Sequence, residues 1–197
     1  MTFQVIGHGK TLTFIHIPKT GGTSITKWFN TIAMYPPNKY HMIRFCETRE
    51  HWGLNEVKEV VKNTGHVFAV VRNPWDYMVS LYIHLTTHWM TEKISFKNFV
   101  ERLPEFSGPL HKNYHLNSQQ SSWINDDVEV LRFETLNKDF KKIQELMNFY
   151  IPLGHYNASI RNAYAQYYDD SLKKMVAQYF EEDIERFKYV FIDEKSQ

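Results

Sequence analysis

Apolar residues in this chain gather into short runs, and each run stops at a turn that opens a stripe of helical spacing. Residues 11–17 (Leu12, Phe14, Ile15, Ile17) predict a buried strand, and the stripe beyond the next turn predicts a helix over 24–33. Residues 66–71 are almost continuously apolar, as in a strand buried on both faces of a parallel sheet. A helix over 74–88 follows, with Pro74 in its first turn, where the missing N–H costs nothing. Residues 128–133 predict a third strand, leading into an amphipathic helix over 136–150. Leu54, Val57 and Val61 space a helix over 53–62, Ser95 suits the N-cap of a helix over 96–103, and 160–187 reads as mostly helical. Residues 41–48 are open between a short strand and irregular chain. Pro36-Pro37-Asn38-Lys39 marks a loop, and 103–122, with Pro104, Gly108 and Pro109, is irregular for a length that usually carries function. Strands alternating with helices predict an α/β domain with a largely parallel sheet, and 197 residues without repeat or linker predict one domain over 1–197.

Composition narrows the function classes. The formal net charge is +1, so no global field draws DNA, RNA or an anionic membrane, and any anion site must be local. Cys46 is the sole cysteine, which excludes an internal disulfide framework and a cysteine metal cluster and fits a reducing compartment. The first residues lack a basic region leading into an apolar stretch, and no run approaches the ~18 apolar residues of a membrane span. The expectation is a soluble, cytoplasmic protein with no membrane or nucleic-acid partner; its oligomeric state is open.

Two strand ends carry the chemistry. Phe14-Ile15-His16-Ile17-Pro18-Lys19-Thr20-Gly21-Gly22-Thr23-Ser24 reads as strand, tight glycine turn and hydroxyl-bearing helix start. Backbone N–H groups and the helix dipole favour an anion there, and Lys19 adds a full charge. A nucleoside-triphosphate loop needs its lysine after the glycines, whereas Lys19 precedes them. The second segment, Val71-Arg72-Asn73-Pro74-Trp75-Asp76 through Ser80-Leu81-Tyr82, puts Arg72 at a strand end and Ser80 on the helix stripe of Asp76 and His84. An arginine fork and a hydroxyl suit a phosphate. Equally open is a plain ion pair of Arg72 with Asp76, Ser80 being a tolerated helix serine.

In combination the two segments resemble the sulfotransferase family, whose donor is 3′-phosphoadenosine 5′-phosphosulfate (PAPS). Residues His16 to Ser24 look like the 5′-phosphosulfate loop, and Val71 to Tyr82 look like the 3′-phosphate motif. Gln120-Ser121-Ser122-Trp123-Ile124 leading to Arg132-Phe133-Glu134-Thr135-Leu136 is similar to the family's third strand and its approach, and the stretch from Tyr164 through 183–191 resembles its C-terminal helices. The carbohydrate branch, with the heparan sulfate O-sulfotransferases and many bacterial members, looks closest. The resemblance implies a P-loop-like three-layer fold, a central, mostly parallel sheet flanked by helices, and transfer of the PAPS sulfuryl group to a hydroxyl, that of a carbohydrate acceptor. It implies that Lys19, Thr20, Gly21, Gly22, Thr23 and Ser24 hold the 5′ end and that Arg72 and Ser80 hold the 3′-phosphate. In related enzymes the region of Asn157-x-Ser159-x-Arg161 closes over the nucleotide, which would add Ser159 and Arg161; ordinary helix capping explains those residues equally well.

Sulfuryl transfer parallels phosphoryl transfer: in-line attack through a loose transition state, catalysed by positioning and charge stabilisation. Lys19 is expected to neutralise charge growing on the leaving phosphate. A metal clamp is not obligatory, and His84-x-x-x-His88, lacking an intervening glutamate or a third ligand, is not expected to hold one. A hydroxyl acceptor needs a base. His51 is the candidate among ten histidines because it lies between the two motifs and resembles the heparan sulfate branch's catalytic histidine; a surface helix-entry histidine is the plainer alternative, with Glu47, Glu50 and His41 as substitutes. His111 and His115 fall in the long loop, where they suit acceptor contact or surface. The competing functions are a nucleotide kinase or other phosphotransferase, and a PAP-binding protein without catalysis.

Overall fold

The computed structural model describes residues 1–34, 40–44, 51–88, 90, 92–103, 119–156 and 161–193. Contacts divide the chain into two compact units, Met1–Val71 with Ser122–Asn157 and Arg72–Ser121 with Ala158–Gln197.

The first unit holds a five-stranded sheet: β1 (Phe3–Gly7), β2 (Lys10–Ile15), β3 (His41–Arg44), β4 (His66–Val71) and β5 (Glu129–Arg132), in the order β3-β1-β2-β4-β5. β2 pairs with β4 and β4 with β5 in parallel, while β1 pairs antiparallel with both β2 and β3. The sheet is therefore mixed, which corrects the expectation of a mostly parallel one. The reversal comes from His8 and Gly9, both at positive φ (50° and 73°), which form a two-residue hairpin loop whose twist matches the flanking strands. β4 is buried from Val67 onward, in keeping with its unbroken apolar run.

Helix α1 (Gly22–Met34) turns Ile25, Trp28, Phe29 and Ile32 inward at spacings of three and four. Phe29 meets Phe3 edge-on at 5.2 Å between ring centroids, joining helix to sheet, and within the sheet Phe14 stacks on Phe68 at 4.9 Å. Burying each such side chain contributes about 1.5–3 kcal/mol. Helix α2 (Leu54–Val60) buries Leu54 and Val57 and stops at an extended Val61. The helix expected over 136–150 is instead two, α5 (Leu136–Asp139) and α6 (Lys141–Met147). They part at Phe140, whose ring is driven into Trp28 at 5.0 Å, and Asn148 ends α6 in the left-handed conformation.

The second unit is helical: α3 (Pro74–His88), α4 (Phe96–Glu101), α7 (Asp170–Tyr179) and α8 (Glu181–Phe187), with a 3₁₀ turn at Tyr164–Tyr167. Ser95 caps α4 by accepting the Asn98 N–H at 3.2 Å, and Asp169 caps α7 by accepting that of Leu172 at 2.8 Å. Tyr164, Tyr167 and Tyr168 are half-buried. Phe96 lies against Tyr167 and Tyr168, and the Tyr168 hydroxyl donates to the Trp75 carbonyl at 2.8 Å. Burial and the neighbouring Asp76 charge hold that phenol well above its usual pKa. Among the described residues no helix is long and apolar enough to cross a membrane.

Candidate active site

In the first unit the end of β2 runs into the lysine turn. Lys19 itself sits in the left-handed region (φ 62°), as does Gly21 (φ 88°). A lysine pays about 1–2 kcal/mol for that conformation, and such strain is retained where a turn must curl its N–H groups into an anion-binding concavity. Thr20 is fully buried and its hydroxyl donates to the Ile17 carbonyl at 2.7 Å, riveting the turn from inside. At Gly21 a Cβ would stand 3.2 Å from Leu136 Cδ2. Its carbonyl accepts the N–H groups of Ser24 and Ile25, which opens α1. The Ser24 hydroxyl accepts the Tyr156 N–H at 3.1 Å, so the segment before residue 157 is tied to the start of α1.

Gly22 answers a close approach. A Cβ there would fall inside the His16 imidazole, which also stacks on Phe14 at 5.5 Å between centroids. Gly22→Ala gains up to about 1 kcal/mol of helix propensity, but it must expel a packed ring at a cost of about 1–3 kcal/mol. The clash should win: thermal unfolding of Gly22→Ala is expected at lower temperature than wild type, and His16→Ala in the same chain should recover most of the loss. An unchanged midpoint would show that the ring swings aside freely.

The same histidine receives His51. The His51 Nδ1–H donates to the His16 carbonyl at 3.0 Å, and because a carbonyl can only accept, neutral His51 keeps its lone pair on Nε2. Thr2 Oγ1 clips this arrangement together, donating to the Trp52 carbonyl at 2.7 Å and accepting the His16 N–H at 3.1 Å. The two imidazoles meet edge-on at 4.6 Å. Burial first, then the positive charges of the Met1 amino group, of His51 when it is protonated, and of Lys19, hold His16 well below its usual pKa, so it is neutral at pH 7. The Met1 amino group bonds its Nδ1. The turn and His51, distant in sequence, are thus one assembly.

In the second unit Arg72 is 6% exposed and its fork closes on Asp76, with Nε at 2.8 Å and one terminal nitrogen at 2.7 Å from Oδ2. Arg161 binds the other carboxylate oxygen, so two guanidiniums share one carboxylate. Ser80 follows Asp76 by four residues on α3 and is buried. The cluster carries one net positive charge. The plain ion pair with Asp76 therefore forms, and it brings Arg72 and Arg161 together. Arg72's backbone is held as well: its N–H donates to Gln120 Oε1 at 2.9 Å and its carbonyl accepts from Gln120 Nε2 at 2.8 Å. The Asp183 carboxylate, fully buried, accepts the N–H groups of Gln120 and Ser121, each at 2.7 Å. Burial raises the Asp183 pKa against those hydrogen bonds. Its ionisation therefore costs stability, a cost absent below the unfolded-state pKa and complete above the folded one.

Sequence reasoning missed Thr2, the His16 ring, Gln120 and Asp183 as parts of these assemblies. The side-by-side glutamines Gln119 and Gln120 were the available signal, since paired amides are rarely buried without partners. Asn157, Ser159, Glu47, Glu50, His111, His115 and Cys46 lie outside the described residues. His41 opens β3 and is exposed. His84 and His88 lie 5.1 Å apart between ring centroids, and among the described residues no three metal-ligating side chains gather.

The chain is thus a mixed α/β protein with a lysine-bearing glycine turn after one strand and an arginine after another. The model of the sulfotransferase family matches residues 5–190, through both units, and the chain belongs to that family. No individual curated protein matches the sequence.

Proposed function

We propose that this sulfotransferase takes its sulfuryl group from PAPS and passes it to a hydroxyl, that of a carbohydrate acceptor. The observation that carries the donor reading is the sharing of Asp76 by Arg72 and Arg161 beside Ser80. Two forks gathered with a surplus of positive charge suit a phosphate monoester, the group that distinguishes PAPS from ATP. In this reading Arg72, Arg161 and Ser80 hold the 3′-phosphate. The turn of Lys19, Thr20, Gly21 and Gly22 with the helix start at Thr23 and Ser24 holds the 5′-phosphosulfate. Thr20 acts through its backbone, its hydroxyl being engaged within the turn.

The acceptor oxygen forms a bond to sulfur as the bond from sulfur to the 5′-phosphate oxygen breaks. The electron pair of the broken bond goes to that oxygen, where Lys19 and the turn's N–H groups stabilise it. The acceptor proton goes to His51 Nε2, the products being a sulfate ester and adenosine 3′,5′-bisphosphate (PAP). The resemblance of the lysine turn and of His51 to the heparan sulfate branch supports a sugar hydroxyl as acceptor.

The direct test is calorimetry with PAP, AMP and ATP, followed by a screen of hydroxyl acceptors with PAPS carrying labelled sulfate. PAP is expected to bind far more tightly than AMP or ATP; equal affinities sink the donor reading. His51→Gln should keep PAP affinity while turnover on any acceptor found falls by about 10²–10⁴. A fully active variant would move the base elsewhere.

A further inference from the structure

β4 ends at Val71, which pairs with Arg132, and Arg72 is the next residue. The sheet ladder stops there, yet Arg72 is buried, and a buried backbone N–H and C=O need partners. Both come from one side chain, the Gln120 amide, which gives and accepts a hydrogen bond on the same residue as a neighbouring strand would. Gln120 is itself 1% exposed, and its own N–H is held by Asp183. The adjacent Gln119 faces the other way: its amide donates to the Tyr179 carbonyl at the end of α7 at 2.8 Å and accepts the Asp183 N–H in the first turn of α8 at 3.1 Å. The two glutamines and Asp183 thus bolt the backbone of Arg72 to the α7–α8 junction, while Asp76 sets its guanidinium.

We infer that Gln120 is a positioning residue for donor binding, holding Arg72 at the angle at which its fork meets the nucleotide 3′-phosphate. The inference rests on the PAPS reading above. An alternative, purely structural role would be satisfaction of the strand-end backbone with no bearing on the ligand, and the two roles differ in what they do to ligand selectivity. A nucleotide without a 3′-phosphate does not use the Arg72 fork, so its affinity should be blind to Gln120.

The experiment is calorimetric titration of PAP and AMP into wild type, Arg72→Ala, Gln120→Leu and Gln120→Glu. Gln120→Leu removes both bonds to Arg72, and Gln120→Glu keeps the acceptor and loses the donor. PAP affinity is expected to fall roughly tenfold or more in Gln120→Leu and by less in Gln120→Glu. AMP affinity should stay within about twofold in both. Equal losses for PAP and AMP, or a Gln120→Leu protein that keeps the preference Arg72→Ala loses, overturn the inference while leaving the donor reading intact. Wild-type protein that binds PAP and AMP alike overturns the donor reading itself. Should both Gln120 variants fail to fold, nuclear magnetic resonance of wild type decides: the Gln120 side-chain amide signals should shift with PAP and stay put with AMP, and a common response to both nucleotides overturns the inference.

Discussion

Lys19→Ala is expected to lower sulfuryl transfer by about 10²–10³, the usual loss when a preorganised charge is removed from a developing anion. PAP affinity should change far less, because charge on the leaving oxygen grows as the bond breaks and the turn's N–H groups still hold the phosphate. The left-handed backbone of Lys19 complicates the variant, since alanine tolerates φ 62° no better than lysine does. Lys19→Gly resolves this. Glycine relieves the strain but also lacks the ammonium, so both variants should be comparably inactive in the labelled-sulfate assay. Recovery in Lys19→Gly would place the loss in turn geometry, and an active Lys19→Ala would end the leaving-group role.

Arg72→Ala should weaken PAP by about a hundredfold with little change in AMP affinity. Hydrogen bonds to charged groups contribute about 1.5–3 kcal/mol, and each 1.4 kcal/mol is a factor of ten. A second effect adds to it. Removing Arg72 leaves the Asp76 carboxylate balanced by Arg161 alone, and a cluster with one net positive charge becomes neutral. Removing Asp76 as well restores the surplus, so Arg72→Ala with Asp76→Ala should bind PAP better than Arg72→Ala by itself. Calorimetry on the three proteins checks both effects; a double variant weaker than the single would make Asp76 a ligand-holding residue in its own right.

Much of the fold is legible in local pattern. The helix over 74–88 has the same ends in sequence and structure, because Pro74 supplies a start whose lost N–H is harmless and the apolar stripe runs out near His88. β4 was readable because a run of bulky apolar residues has no other comfortable place. The Ser95 cap was readable because a hydroxyl one residue before a helical stripe has an obvious donor to meet. β1 was not readable. A short strand is defined by its partners, and its hairpin rests on two positive-φ residues, one of them a histidine, which carries only a weak turn signal. Nor did the sequence show the break at Phe140, where periodicity continues across the joint and the Phe140 ring packs against Trp28.

The lysine turn, the arginine at the strand end and their family resemblance are properties of contiguous residues, so the sequence by itself determined the family to which the chain belongs. Tertiary structure decided what those residues touch. That Asp76 would take Arg161 as well as Arg72, that Gln120 would complete the backbone of Arg72, and that His51 would present Nε2 by donating to His16 all depend on partners 35 to 85 residues apart in the chain. No local periodicity encodes such pairs. They form because burial leaves a polar group in want of a partner, and only the folded chain determines which one it meets.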